Sequence, residues 1–232
     1  MSIQQPIVLL TTDLDEQGRQ RPYYFVYDDY VAALDSVGLS VLVLPAQNSA
    51  SISSLVQHAH GVVVPGGDDL ICTNKTPEET FVVEQRQTID VQVVTEALKH
   101  DIPLLGICYG MQLINYVLGG EHNRHDHCAH RHMNGAVHPL QCEPDTQGFP
   151  EQIWDQPSNH HQSIKVLGKG LKSVIRSDDG LIEGFCSVEK TFVRGFQWHV
   201  EKRHTVADTF ILGSFAEAVK NYKNRKMAIN DV

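Results

Sequence analysis

The stretch PLLGICYGMQLINYVLGG (residues 103–120) begins as an apolar run, meets a cysteine at Cys108 and continues at once with apolar residues at helical spacing. The pattern predicts a buried strand over IPLLGI and a helix over Tyr109–Leu118, closed by Gly119 and Gly120. A thiol at that junction faces a helix N-terminus, whose unpaired N–H groups and partial positive charge favour the reactive thiolate. Gly106 and Gly110 lie two residues before and after it, which relieves crowding in a sharp turn. From this string alone Cys108 reads either as a nucleophile or as a buried core thiol.

Working outward, Ile7–Thr12, SVLVLP and GVVVPGG read as further strands. Between them lie helical patterns at Tyr27–Val37, capped by Gly38, and at Ile52–His60. Pro77 opens a helix running to Lys99, with Val82, Ile89, Val93 and Ala97 on one face. The strands are continuously apolar and alternate with helices, the signature of a parallel sheet covered on both faces. Residues 121–162 are polar, with one strand expected near Ala136–Gln141. SIKVL, LKSVIRS, LIEGFC and TFVRGFQW follow as an antiparallel or mixed extension, then a helix over Thr205–Lys223 and a frayed tail. The expectation is one α/β domain over 1–232: a flavodoxin-like, doubly wound, mostly parallel sheet with a β-rich C-terminal extension.

Composition sets outer limits. The 232 residues carry a formal net charge of −9, which disfavours a nucleic-acid partner because phosphate binding needs a basic face. No run approaches the roughly 18 apolar residues of a membrane span, and Ile7–Leu10 lacks the basic flank and length of a secretory signal. Five cysteines (72, 108, 128, 142 and 186) show no pairing pattern, so a cytoplasmic protein with free thiols is expected.

A cysteine nucleophile needs a base, and the base needs an orienting group. TFVRGFQWHVEKRH places His199 at a strand end with Glu201 two residues on; along an extended chain the two would project to one side. Pro65-Gly66-Gly67 ends a neighbouring strand, and the N–H groups of Gly67 and Tyr109 form a natural oxyanion-binding pair.

Together GICYGMQ, the upstream PGG turn and QWHVE resemble the class I glutamine amidotransferase-like superfamily. Within it the chain is most similar to the gamma-glutamyl-gamma-aminobutyrate hydrolase branch (gamma-glutamyl hydrolase, peptidase C26), chiefly through SNHHQSIKVLGKGLKSVIRSDDGLIEGF. The resemblance spans nearly the whole chain. It implies a Cys108–His199–Glu201 triad, an oxyanion hole at Gly67 and Tyr109, and substrate contacts from Gly66, Gln112, Asn159, His160, His161 and Gln162. It implies hydrolysis of a small gamma-glutamyl amide through a glutamyl thioester, with no cofactor. Two further readings stay open: a glutaminase subunit serving a synthetase partner, and a non-catalytic binding protein on the same fold. A homodimer is compatible with either. The chain departs from the family pattern at Val200, where proline usually follows the histidine, and at Tyr109, a form shared with the amidotransferase part of GMP synthetase while the hydrolase branch often has arginine.

EHNRHDHCAHRHMNGAVH holds six histidines between His122 and His138. His125, Asp126, His127, Cys128, His130 and His132 have the chemistry of soft or borderline metal ligands. The resemblance implies instead a polar segment over the active site that shapes the leaving-group pocket, and no metal is expected.

Overall fold

The computed structural model describes residues 5–15, 23–45, 51–71, 77–123, 131–144, 146, 149, 152–203 and 205–230. The first half runs β1 (Ile7–Thr11), β2 (Asp13–Asp15), β3 (Tyr23–Phe25), α1 (Asp28–Ser36), β4 (Ser40–Leu44), α2 (Ile52–His58), β5 (Gly61–Val64), α3 (Pro77–Lys99), β6 (Leu104–Ile107) and α4 (Tyr109–Val117). The second half runs β7 (Glu121–Asn123), β8 (Ala136–Cys142), β9 (Ile153–Ser158), β10 (Ser163–Val166), β11 (Leu171–Ser177), β12 (Ile182–Ser187), β13 (Val193–Phe196) and α5 (Val206–Asn230).

Eleven strands share one sheet in the order β4-β1-β5-β6-β13-β12-β11-β8-β9, with β10 bridging β12 and β7. The first five are parallel, and from β12 onward the pairing is antiparallel. This is the expected α/β architecture, a doubly wound parallel half with a β-rich extension.

Alternation along each parallel strand feeds two cores. Leu9, Val62 and Leu104 pack with Val93, Val94 and Leu113 on the α3–α4 face. Val8, Leu10, Val63 and Leu105 pack with Leu34, Ile211 and Phe215 on the α1–α5 face. Both faces are buried, which is why the strands read as unbroken apolar runs. β4 is the exception: it is an edge strand, and Leu42 and Val43 are exposed.

Three expectations are corrected. The 121–162 segment holds β7 and β9 besides β8; both lie at the margins of the sheet, where polar residues mask a strand signal. The hairpin of β2 and β3 was not foreseen, being three residues a side. The C-terminal tail is not frayed from Lys223 onward: α5 continues to Asn230, and within that segment Lys226 Nζ donates to the Gln57 carbonyl oxygen.

Register delivers the site. Val64 of β5 pairs with Gly106 of β6, and Gly106 pairs with Gly195 of β13. Two residues past each, the chain emerges at Gly66, Cys108 and Gln197, side by side at the carboxyl end of the sheet.

Candidate active site

Cys108 caps the N-terminus of α4 with φ 53° and ψ −107°. A non-glycine residue there is strained by about 1–3 kcal/mol, and such strain clusters at functional sites. The flanking glycines have steric causes. A Cβ on Gly106 would lie 2.5 Å from the Gly110 carbonyl oxygen, and one on Gly110 would lie 2.0 Å from the Val64 oxygen. No side chain fits between the turn and its neighbours, so the elbow can be built only with glycine at both positions.

His199 and Glu201 meet as expected, but by another route. The chain does not stay extended: Val200–Lys202 forms a 3-10 turn, and the turn brings His199 Nδ1 to 2.6 Å from Glu201 Oε1. Behind it, Trp198 donates to Asp208 at 2.7 Å. Asp208 and Thr205 close a reciprocal cap on α5, with Thr205 N–H on Asp208 Oδ2 and Asp208 N–H on Thr205 Oγ1. The helix start thereby anchors the turn that carries the imidazole. Burial pushes the His199 pKa down, but the hydrogen bonds and charges of Cys108 and Glu201 outweigh it and hold it at about 10. His199 is therefore an imidazolium at neutral pH.

The Gly66-Gly67 turn is fixed from both sides by residues the sequence did not single out. Gly66 N–H donates to Tyr30 Oη at 2.9 Å, and Tyr30 Oη lies 3.5 Å from His199 Nδ1. Burial keeps the Tyr30 pKa well above its ordinary value, so it remains a neutral phenol. Arg86 is buried beneath the turn, 2.7 Å from Asp13 and 3.2 Å from Asp90, with its guanidinium 4.1 Å over the Tyr109 ring. Its sequence signal was a lone cation inside the apolar stripe of α3, with an aspartate four residues on. Among the described residues no protein group accepts from Gly67 N–H or Tyr109 N–H.

Gln197 was also missed, although it stands in the same QWHVE run. Its Nε2 lies 3.6 Å from Cys108 Sγ, and its Oε1 accepts from Gln112 Nε2 at 3.1 Å.

The residues expected at the substrate divide into two groups. Asn159, His160 and His161 line a cavity of about 330 Å³ with Cys108, Tyr109, Gly67 and Gln112. Gln112, however, has both amide hydrogens engaged, by Gln162 O at 3.0 Å and by Gln197. Gln162 is no contact residue: its side chain clamps Leu70, accepting from the N–H at 2.9 Å and donating to the C=O at 3.0 Å. Gly66 lines the cleft, but its N–H is taken by Tyr30. Of the histidine-rich candidates, His132 is placed; residues 124–130, and Cys72 elsewhere, lie outside the described residues.

A second cavity, about 580 Å³, adjoins it and is lined by His199, Glu201, Tyr30, Asp29 and Phe25 besides Cys108. Cys108, Gly67, Asp68 and Asn159 border both. The thiol thus borders two adjoining spaces, and the imidazole lines only the larger.

A flavodoxin-like sheet with a strained elbow cysteine beside a histidine–carboxylate pair defines the glutamine amidotransferase-like class of cysteine hydrolases. Within that class the chain belongs to the Peptidase C26 family, whose model matches residues 6–201. It is 26% identical to a protein of Rickettsia prowazekii named as glutamine amidotransferase-like, over 85% of this chain and 92% of that one. It is 29% identical to a Mycobacterium tuberculosis protein named as a glutamine amidotransferase, over 96% of this chain and 77% of that one. A crystal structure from Thermoplasma acidophilum, of a protein named as a GMP synthase subunit, shares the fold with a TM-score of 0.72 at 17% identity, covering 97% of this chain and 98% of that one.

Proposed function

We propose that the chain is a gamma-glutamyl amide hydrolase, acting as one domain through Cys108, His199 and Glu201. The observation that carries this reading is that Cys108 borders two adjoining cavities, of which only the larger is lined by His199. The group that His199 protonates must leave on its own side, so the amine belongs in the larger cavity and the glutamyl group in the smaller.

The steps follow from that arrangement. Cys108 Sγ attacks the gamma-carbonyl carbon, and its proton resides on His199. The oxyanion is received by Gly67 N–H and Tyr109 N–H. The intermediate collapses by breaking the C–N bond, and His199 gives its proton to the departing amine, leaving a gamma-glutamyl thioester on Cys108. Water then enters from the amine side, loses a proton to His199 and attacks the thioester; glutamate departs and the thiol is restored. Glu201 holds Nδ1 throughout, so Nε2 is the nitrogen that works.

The amine side is acidic. Asp13, Asp29 and Asp68 line it together with Glu201, and Lys202 is the one lysine or arginine among its described lining residues. A cationic amine fits that wall better than an anionic one. The free thiols Cys108 and Cys186 suit a reducing cytoplasmic setting.

The test is a panel of gamma-glutamyl amides with cationic, neutral and anionic leaving groups, with mass spectrometry of the quenched enzyme. A gamma-glutamyl adduct on the peptide containing Cys108, and the highest kcat/KM for cationic amines, are expected. Full activity in Cys108→Ala would sink the proposal.

A further inference from the structure

Four acid–base side chains are buried together away from the triad. Glu183, on β12, is 0% exposed, and His132, His138 and His160 surround it at 1%, 3% and 6%. His132 Nδ1 lies 3.6 Å from Glu183 Oε1, His160 Nε2 3.5 Å and His138 Nε2 3.7 Å. None of these is a hydrogen bond. Among the described residues, both carboxylate oxygens and all three facing ring nitrogens lack a hydrogen-bonding partner. So many orphaned polar atoms in one dry place call for a missing member.

The far ring nitrogens show what it is. His132 Nε2 lies 2.9 Å from Asp179 Oδ2, and His160 Nδ1 lies 2.9 Å from the Gln162 carbonyl oxygen. Both partners can only accept, so the proton of each neutral imidazole sits on the far nitrogen. In neutral rings the near nitrogens then turn lone pairs toward a carboxylate oxygen, a repulsion relieved by a proton or by a metal ion between them. Outward anchoring by a carboxylate or a carbonyl is the second-shell arrangement of metal-binding histidines. Spacing agrees: ligand atoms about 2.0–2.2 Å from a tetrahedral zinc stand about 3.3–3.6 Å apart. The candidate ligand atoms of His132, His160 and Glu183 all lie within 4.8 Å of one another.

We propose that His132 Nδ1, His160 Nε2 and the Glu183 carboxylate bind one divalent zinc-like ion, with His138 beside the open position. The donor set is two imidazoles and a carboxylate, which suits zinc over calcium or magnesium. The ion would tie the segment before β8 and the turn between β9 and β10 to β12. His160 also lines the cavity on the acyl side of Cys108, so the ion would fix a wall of the active site without touching the reacting atoms. It takes one residue, His132, from the histidine run that the sequence offers as metal ligands; His125, Asp126, His127, Cys128 and His130 lie outside the described residues.

The test uses full-length, untagged protein, titrated with Zn2+ and, separately, with Co2+. About one equivalent of tightly bound metal per chain is expected, with a thermal midpoint that rises with Zn2+ and falls with chelator. Cobalt should give visible bands of a tetrahedral site without a thiolate charge-transfer band. Glu183→Gln and His132→Asn should lose the metal, while joint replacement of His125, His127 and His130 by Gln should keep it. Failure of the wild-type protein to bind either ion would overturn the proposal. So would a thiolate band, which would put the ion on a cysteine, or loss of binding only in the His125/His127/His130 variant. These wild-type readings stand even if a variant misfolds.

Discussion

Arg86 Nη2 donates to the Gly66 carbonyl oxygen at 3.0 Å, and that bond decides where the next N–H points. A trans peptide holds its C=O and N–H on opposite sides. With the Gly66 oxygen drawn down onto Arg86, the Gly67 N–H is turned up into the cleft beside Cys108. Tyr30 fixes the preceding peptide by accepting the Gly66 N–H. Two side chains remote in sequence thus aim one backbone donor.

Gly67 has no room for a side chain, because a Cβ would fall 1.6 Å from Arg86 Nη1. Gly67→Ala must displace the guanidinium or twist the turn. We expect kcat to fall about 100-fold, the usual loss of one oxyanion donor, with KM nearly unchanged. Arg86→Met should add a loss of stability of about 3–5 kcal/mol, since it leaves Asp90 buried without its partner. Urea unfolding of the two variants separates the effects.

The strain at Cys108 can be released without restoring chemistry. Glycine adopts φ near 53° freely, whereas alanine does not. Both Cys108→Gly and Cys108→Ala should be inactive, but the glycine variant should be the more stable by about 1 kcal/mol. A lower urea midpoint for glycine than for alanine would remove strain from this account.

The His199 pKa is raised, by Cys108 and Glu201 acting against burial, to about 10. A raised basic group stabilises the fold at low pH and loses that contribution as pH rises through the folded value. The imidazolium persists through neutral pH, so the alkaline limb of kcat/KM should fall near pH 10. Glu201→Gln removes one of the anions that raise the pKa, so its alkaline limb should move to lower pH. An unmoved limb in a pH–rate profile would refute the assignment of that limb to His199.

Gln162 clamps Leu70 and lines neither cavity beside Cys108. Gln162→Ala strands a buried N–H and a buried C=O, which costs about 1–3 kcal/mol. The thermal midpoint should drop by several degrees, about 2–4 °C for each kcal/mol in a chain of this size. A stable variant with a greatly raised KM would instead restore Gln162 to the substrate.

Much of the fold was legible because its parallel strands are buried on both faces. An unbroken apolar run such as GVVV or PLLGI admits few other readings, and the helices between them end on Gly38 and Gly119, both at positive φ. β7 and β9 were not legible, since a marginal strand has polar neighbours on the side that would show alternation. The tail of α5 was misread because its polar residues look like a solvated end, whereas the helix continues to Asn230 and Lys226 reaches back to the Gln57 carbonyl of α2.

The site divides in the same way. Cys108 between glycines, and His199 two residues before Glu201, are local patterns, and chemistry selects them by residue type. Their meeting is not local: the register of β5, β6 and β13 sets it, and a one-residue slip would turn each to the other face. Tyr30, Arg86 and Gln197 act only through contacts 36, 20 and 89 residues away in the chain, on Gly66 and on Cys108. By itself, the sequence determined the parallel half of the sheet and the elbow that carries Cys108, because burial and turn sterics act on neighbours in the chain. Only the tertiary structure decided which N–H groups face the thiol, on which side of it the imidazole stands, and that three histidines converge on Glu183, because those depend on distances between segments that no local pattern records.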